Sequence, residues 1–148
     1  LWLAVYHADC IPLFFYTDDA IGLAHVGWRG TAKGLPAKIV REMVKHFKVD
    51  PKDIVVKFGP FICKNHYDVS VDDERLKKLP HDLRGDKAYI DLYQAAREQL
   101  VKVGISESRI MNYKLCECTA EHPDKYWSYH QDREQLAGVM LSVIGRAH

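Results

Sequence analysis

Ile11-Pro12-Leu13-Phe14-Phe15-Tyr16-Thr17-Asp18-Asp19-Ala20-Ile21-Gly22-Leu23-Ala24-His25-Val26 holds two short apolar runs, rich in aromatic and branched residues, parted by a pair of aspartates. Such runs read as buried strands, with Asp18-Asp19 as the hairpin turn between them. An antiparallel hairpin lays the start of its first strand beside the end of its second. Cys10, just ahead of the first run, and His25, near the close of the second, are therefore expected to converge. A thiolate and an imidazole at strand edges suit zinc or copper better than magnesium or calcium. On composition alone Cys10 reads as a buried small hydrophobe and His25 as a core histidine with both nitrogens satisfied.

Outward from the hairpin, Leu1 to Tyr6 reads as a third strand. From Pro36, the residues Ile39, Val40, Met43, Val44 and Phe47 form an apolar stripe at helical spacing, which Asp50-Pro51 is expected to end. Ile54 to Phe58 reads as a strand leading into a Gly59-Pro60 turn. Val71 to Leu79 is charged and weakly helical in pattern. Asp91 suits the N-cap of a helix through Ala95, Ala96, Leu100 and Val103, with Gly104 as its stop. Arg109 to Leu115 and Leu136 to Ile144 read as two further strands. The expected fold is a single α/β (α+β) domain over residues 1–148, with mixed or antiparallel sheets.

With 148 residues, 47% of them hydrophobic, the chain can bury one ordinary core. Lys plus Arg is 21 against 20 for Asp plus Glu, so no net charge draws it to nucleic acid or an anionic membrane. A small-molecule partner fits better. No apolar run approaches a membrane span, and the opening residues lack the pattern of a signal peptide. The 4 cysteines, at 10, 63, 116 and 118, form no dense disulfide framework, which points to a reducing cytoplasm.

A wider set of motifs frames the Cys10 and His25 segments. Ala8-Asp9-Cys10-x-Pro12, His25-x-Gly27-Trp28-Arg29-Gly30, Gly59-Pro60-x-Ile62, Tyr67-x-Val69, Tyr89-x-Asp91-Leu92, Cys118-Thr119 and Ser128-Tyr129 run in order along almost the whole chain. By these residues the chain resembles the YfiH-type family, labelled laccase-domain or polyphenol oxidase and more recently purine nucleoside phosphorylase. The resemblance implies a layered α/β/β/α sandwich and a metal held by Cys10, His25 and a further His upstream of the Ala-Asp-Cys motif. Only nine residues precede Cys10, so the chain is expected to be the C-terminal portion of the family's domain. His7 reads as a variation and not as a replacement ligand, since residues three apart on a regular strand face opposite ways unless a bulge or turn intervenes.

The resemblance implies a zinc-dependent purine nucleoside phosphorylase, with adenosine deamination as a further activity; purine nucleoside and phosphate are the partners. A zinc site with three protein ligands and one open position can activate water for deamination. Phosphorolysis instead requires phosphate held near the ribose, for which Arg29, Gly27, Gly30 and the free N–H groups of a helix opening at Thr31 are the candidates; the alternative is an Arg29 paired with an acidic neighbour. Copper is the alternative ion and polyphenol oxidation the alternative reaction, although eight scattered histidines without a His-x-His pair do not suit a multicopper oxidase. A metal-free cysteine hydrolase built on Cys10 and His25 and an inactive scaffold complete the alternatives.

Asp9 is a candidate to orient the second nitrogen of His25. Cys116, Cys118 and His122 can be drawn as a second cluster but lack zinc-finger spacing, so Cys118 is expected to be structural or to line the pocket, like Trp127 and Tyr129. The chain departs from the family at His130-Gln131 and Val139, where arginines are usual, and at Cys63, where glycine is usual.

Overall fold

The computed structural model describes residues 1–111 and 118–146. Its elements, in chain order, are β1 (Trp2–His7), β2 (Ile11–Tyr16), β3 (Ile21–Val26), α1 (Trp28–Ala32), α2 (Leu35–Phe47), β4 (Val55–Phe58), β5 (Asp68–Ser70), β6 (His81–Arg84), β7 (Lys87–Ile90), α3 (Leu92–Lys102), β8 (Ile110–Met111), α4 (Tyr129–Asp132) and β9 (Met140–Gly145). They build three sheets: β3-β2-β4-β8, β5-β7-β6 and the pair β1-β9. All pairings are antiparallel except β4 with β8, so the α/β (α+β) class with mixed and antiparallel sheets holds.

The central hairpin forms as its sequence suggests. Ile11 stands opposite Val26 and Pro12 opposite His25. Thr17 completes the turn: its Oγ1 accepts from the N–H of Ala20 at 2.9 Å, and its own N–H donates to the Ala20 carbonyl at 2.8 Å. Alternation turns Ile11, Leu13 and Phe15 into the core, all with no exposed surface. Each is worth roughly 1.5–3 kcal/mol relative to exposure. Helix α2 lays Val40 and Met43 against β3, and α3 packs Ala96 and Leu100 into the same core. Asp91 caps α3, its Oδ1 accepting from Gln94 N–H at 2.8 Å, and Gly104 takes a left-handed φ of 100° just beyond the helix.

Several boundaries differ from expectation. Helix α2 stops at Phe47, where Lys48 adopts a left-handed cap, and Asp50 instead caps the short turn Pro51–Asp53. The last strand begins at Met140 and not at Leu136. Of the strand expected over Arg109 to Leu115, Ile110 and Met111 are in β8, and residues 112–115 lie outside the described residues. The sheet β5-β7-β6 had no counterpart in the sequence reading. No helix among the described residues is long and apolar enough to cross a membrane.

Candidate metal and substrate site

Cys10 sits at the tip of a turn between β1 and β2, and Asp9 holds that turn. Asp9 is buried with φ of 77°, a left-handed conformation that a short polar residue tolerates better than a bulky one. Its Oδ1 accepts from Thr119 Oγ1 and its Oδ2 from the His130 backbone N–H, both at 2.6 Å, while its carbonyl accepts from Ile62 N–H at 3.0 Å. The Asp9 carboxylate is thus a clamp on the segment that presents Cys10. It does not orient His25.

That task falls to the backbone of β1. The Nδ1 of His25 lies 2.7 Å from the Tyr6 carbonyl, which can only accept, so Nδ1 carries the proton and Nε2 keeps its lone pair. Cys10 Sγ and His25 Nε2 meet at Gly27. A Cβ on Gly27 would stand 2.8 Å from the sulfur and 4.0 Å from the nitrogen. Gly27 has φ of −86° and ψ of 178°, which any residue adopts, so the glycine is needed for space. One soft sulfur and one imidazole lone pair, with its tautomer set by a carbonyl, form a donor set that fits zinc or copper.

Burial governs the charge states of the groups here. Burial, and after it the Asp9 carboxylate, push the Cys10 thiol up to about 11, so without a cation it remains protonated at neutral pH. His7 is buried with Nε2 2.8 Å from Ser142 Oγ, and its Nδ1 has no partner among the described residues. Burial, then the neighbouring His25, lower the His7 pKa to about 4. The turn at Ala8 to Cys10 does separate His7 from Cys10, but His7 has committed one nitrogen to β9.

Aromatic and cationic groups rim this point. The Arg29 guanidinium lies over the Trp28 ring at 4.4 Å; the side chain is exposed, with no carboxylate paired to it among the described residues. Stacking leaves its N–H edge free for an anion. Arg75 approaches the same ring at 5.7 Å, is held by Asp73 and donates to Tyr67 Oη at 3.0 Å. Burial raises the Tyr67 pKa above its ordinary value; the Cys10 sulfur is among the lesser contributors, which places this phenol beside the site. The His130 ring meets Tyr67 edge-on at 5.5 Å, and its Nε2 lies 3.1 Å from Asp68 Oδ1. The helix expected to open at Thr31 begins at Trp28 instead. Thr31 lies inside it, buried, donating from Oγ1 to the Gly27 carbonyl at 3.0 Å.

The family profile described as multi-copper polyphenol oxidoreductase laccase matches residues 1–147. The chain belongs to this laccase-like family. It is 35% identical over 154 residues to the purine nucleoside phosphorylase SACOL1200 of Staphylococcus aureus (strain COL), covering 97% of this chain and 56% of that protein. It is 33% identical to the purine nucleoside phosphorylase of Haemophilus influenzae, covering 93% of this chain and 57% of that one. Among solved structures, YlmD from Geobacillus stearothermophilus superposes with a TM-score of 0.89 at 32% identity, over 100% of this chain and 58% of that one. The Bacillus licheniformis hypothetical protein YfiH gives 0.83 at 30%, over 98% and 57%. The chain therefore spans somewhat more than half the length of these laccase-like relatives.

The positions where the resemblance leads one to expect arginines or glycine sit in this laccase-like chain as follows. His130 fills its place with the two contacts already described, and Gln131 N–H donates to Ser128 Oγ at 3.4 Å. Gly138 packs flat on Trp127, where a Cβ would come within 2.8 Å of the ring. Val139 is 48% exposed. Cys118 is buried, and the ligand-type groups around it are Cys63 and His66; Cys116 lies outside the described residues. Cys118 is lowered to about 5, chiefly by its hydrogen bond with Cys63, whose own thiol is pushed up. Arg75, Tyr67 and His130 were missed as site neighbours by the sequence reading, although Tyr67 lies in one of its motifs. A separate apolar cleft of about 430 Å³, lined by residues including Phe14, Tyr16, Val55 and Met111, opens at the far end of β2 from Cys10.

Proposed function

We propose that this chain carries the catalytic half-site of a zinc-dependent purine nucleoside phosphorylase. The observation that supports it most is the meeting of Cys10 Sγ and His25 Nε2 over Gly27, with His25 Nδ1 tied to the Tyr6 carbonyl. The naming of the relatives as purine nucleoside phosphorylases supplies the reaction. Cys10 and His25 would hold the ion, which when bound supplies Lewis-acid polarisation. Copper is chemically admissible at the same donors, since it competes well for nitrogen and sulfur.

The protein's own groups would do the rest. Arg29, propped on Trp28 and without an ion pair among the described residues, would receive phosphate through its guanidinium edge. Trp28 and Tyr67 offer aromatic surface beside Cys10 for a purine or its ribose. Arg75 positions the Tyr67 hydroxyl by its hydrogen bond, while Tyr67 retains a proton to donate. A metal-free nucleophile at Cys10 is disfavoured by a thiol raised to about 11.

The test is turnover of inosine or adenosine with phosphate by zinc-loaded protein, following free base and ammonia. Release of base is expected in the wild type and a loss of roughly 100-fold or more in Cys10→Ala and His25→Ala. Arg29→Ala should raise the KM for phosphate about tenfold, with the KM for nucleoside little changed. Full turnover in both ligand variants would remove the metal-site reading, and ammonia without free base would reassign the reaction to deamination.

A further inference from the structure

Next to the Asp9 clamp, two turns bring three ligand atoms together, with Glu121 beside one of them. His66 and Tyr67 N–H groups both donate to the Cys63 carbonyl, at 3.0 and 3.1 Å, so Cys63 and His66 project from one tight turn. Glu121 N–H likewise donates to the Cys118 carbonyl at 3.1 Å, which puts Cys118 and Glu121 on a second turn of the same spacing. Thr119 N–H donates to the Phe61 carbonyl at 3.1 Å and joins the two turns. The ligand atoms of Cys63, His66 and Cys118 all lie within 4.8 Å of one another.

The distances decide what fits. His66 Nδ1 stands 3.2 Å from Cys63 Sγ, 3.5 Å from Cys118 Sγ and 3.5 Å from Glu121 Oε1. Tetrahedral zinc with ordinary bond lengths has sulfur-to-nitrogen edges of about 3.5 Å and nitrogen-to-oxygen edges of about 3.4 Å. Backbone N–H groups already surround the sulfurs: Cys63 N–H donates to Cys118 Sγ at 3.1 Å, and the Ala120 and Asn65 N–H groups serve Cys118 and Cys63. Such donors support thiolate ligands by dispersing their charge. We propose that Cys63, His66 and Cys118 bind one zinc ion as a structural site separate from the Cys10 and His25 pair, with the exposed Glu121, already beside His66, drawn in as the fourth ligand.

Its position gives the site a consequence. Ile62 and Thr119, each next in sequence to a ligand, are two of the three groups that hold Asp9. The ion would therefore staple together the two segments that fix the Cys10 turn, and zinc binding would stabilise the native fold by mass action.

The experiment measures zinc bound to the whole chain, purified with a phosphine reductant and exchanged into metal-free buffer. The Cys10→Ala/His25→Ala double variant is expected to keep one zinc per chain and to show a higher melting temperature with zinc than after chelation. Cobalt substituted in that variant should show the strong charge-transfer absorption of two thiolates. Cys63→Ser should lose both signals, and Glu121→Gln, an exposed and structurally mild change, should weaken zinc binding roughly tenfold or more. Circular dichroism checks that the variants are folded. Zinc absent from the double variant, an equal zinc content in Cys63→Ser, or a Cys63 to Cys118 disulfide whose reduction restores no zinc binding would each overturn the proposal. Failure of the phosphorylase reading would appear separately, as absent turnover in a protein that still holds this ion.

Discussion

Replacing Gly27 by alanine adds one methyl group at the point where Cys10 and His25 face each other. That carbon would begin 2.8 Å from Cys10 Sγ and 4.0 Å from His25 Nε2. Non-bonded heavy atoms rest at about 3.5–4.0 Å, so the sulfur must retreat by roughly 0.7–1.2 Å. The backbone at φ of −86° and ψ of 178° accepts alanine without strain, and the native helix α1 can start as before. Overpacking of this kind costs about 1–3 kcal/mol, or roughly 5- to 150-fold in affinity if the cost falls on the bound ion. Zinc affinity is best read by competition with a chromophoric chelator in a Cys63→Ser background, so that the Cys10 and His25 pair alone reports. The expected result is weakened zinc binding and reduced nucleoside turnover in a protein whose circular dichroism is unchanged. A folded Gly27→Ala protein with native zinc affinity and native turnover would show that no ion sits between these two residues.

The buried His7 gives the fold an acid-sensitive term. Its folded pKa, about 4, lies below the ordinary 6.5, so the unfolded chain takes up this proton first and stability falls as the medium becomes acid. The contribution is fully present above pH 6.5 and is lost progressively towards pH 4, reaching about 3 kcal/mol; urea denaturation across this range should show the slope in wild type and a flatter one in His7→Gln, and equal slopes would refute the assignment. At Asp9, asparagine keeps a residue type suited to φ of 77° but loses the charge that binds Thr119 Oγ1 and His130 N–H. A loss of about 1–2 kcal/mol is expected for Asp9→Asn and about 2–4 for Asp9→Ala, measured by chemical denaturation, and a neutral Asp9→Ala would contradict the clamp.

The elements legible in the sequence are those whose pattern is strong and local. Continuous apolar runs announced β1, β2 and β3, the stripe ending at Phe47 announced α2, and Asp91 with Gly104 bounded α3. The sheet β5-β7-β6 was hidden because its strands span only three or four residues and β6 is mostly exposed. Strands of that length offer too few alternating positions to stand out: β5 buries only Val69 and β7 only Ala88 and Ile90, while ion pairs such as Lys64 with Asp82 and Lys87 with Asp68 lie along the sheet. The Gly85-Asp86 step, with Gly85 at φ of 64°, was the turn signal available.

For the site, the chain order determined that Cys10 and His25 belong to the two ends of one hairpin, because antiparallel register follows from two apolar runs and a short turn. Only the folded chain decided the rest. The carbonyl that sets the His25 tautomer comes from β1, the partners of the Asp9 carboxylate from residues more than a hundred positions away, and Arg75 reaches the rim from a charged segment of only weak helical pattern. Cys63, His66 and Cys118 likewise meet only because Thr119 joins its segment to Phe61. Local pattern governs which backbone groups pair with near neighbours; which side chains meet across distant segments depends on how the sheets and turns pack, and that is a property of the whole core.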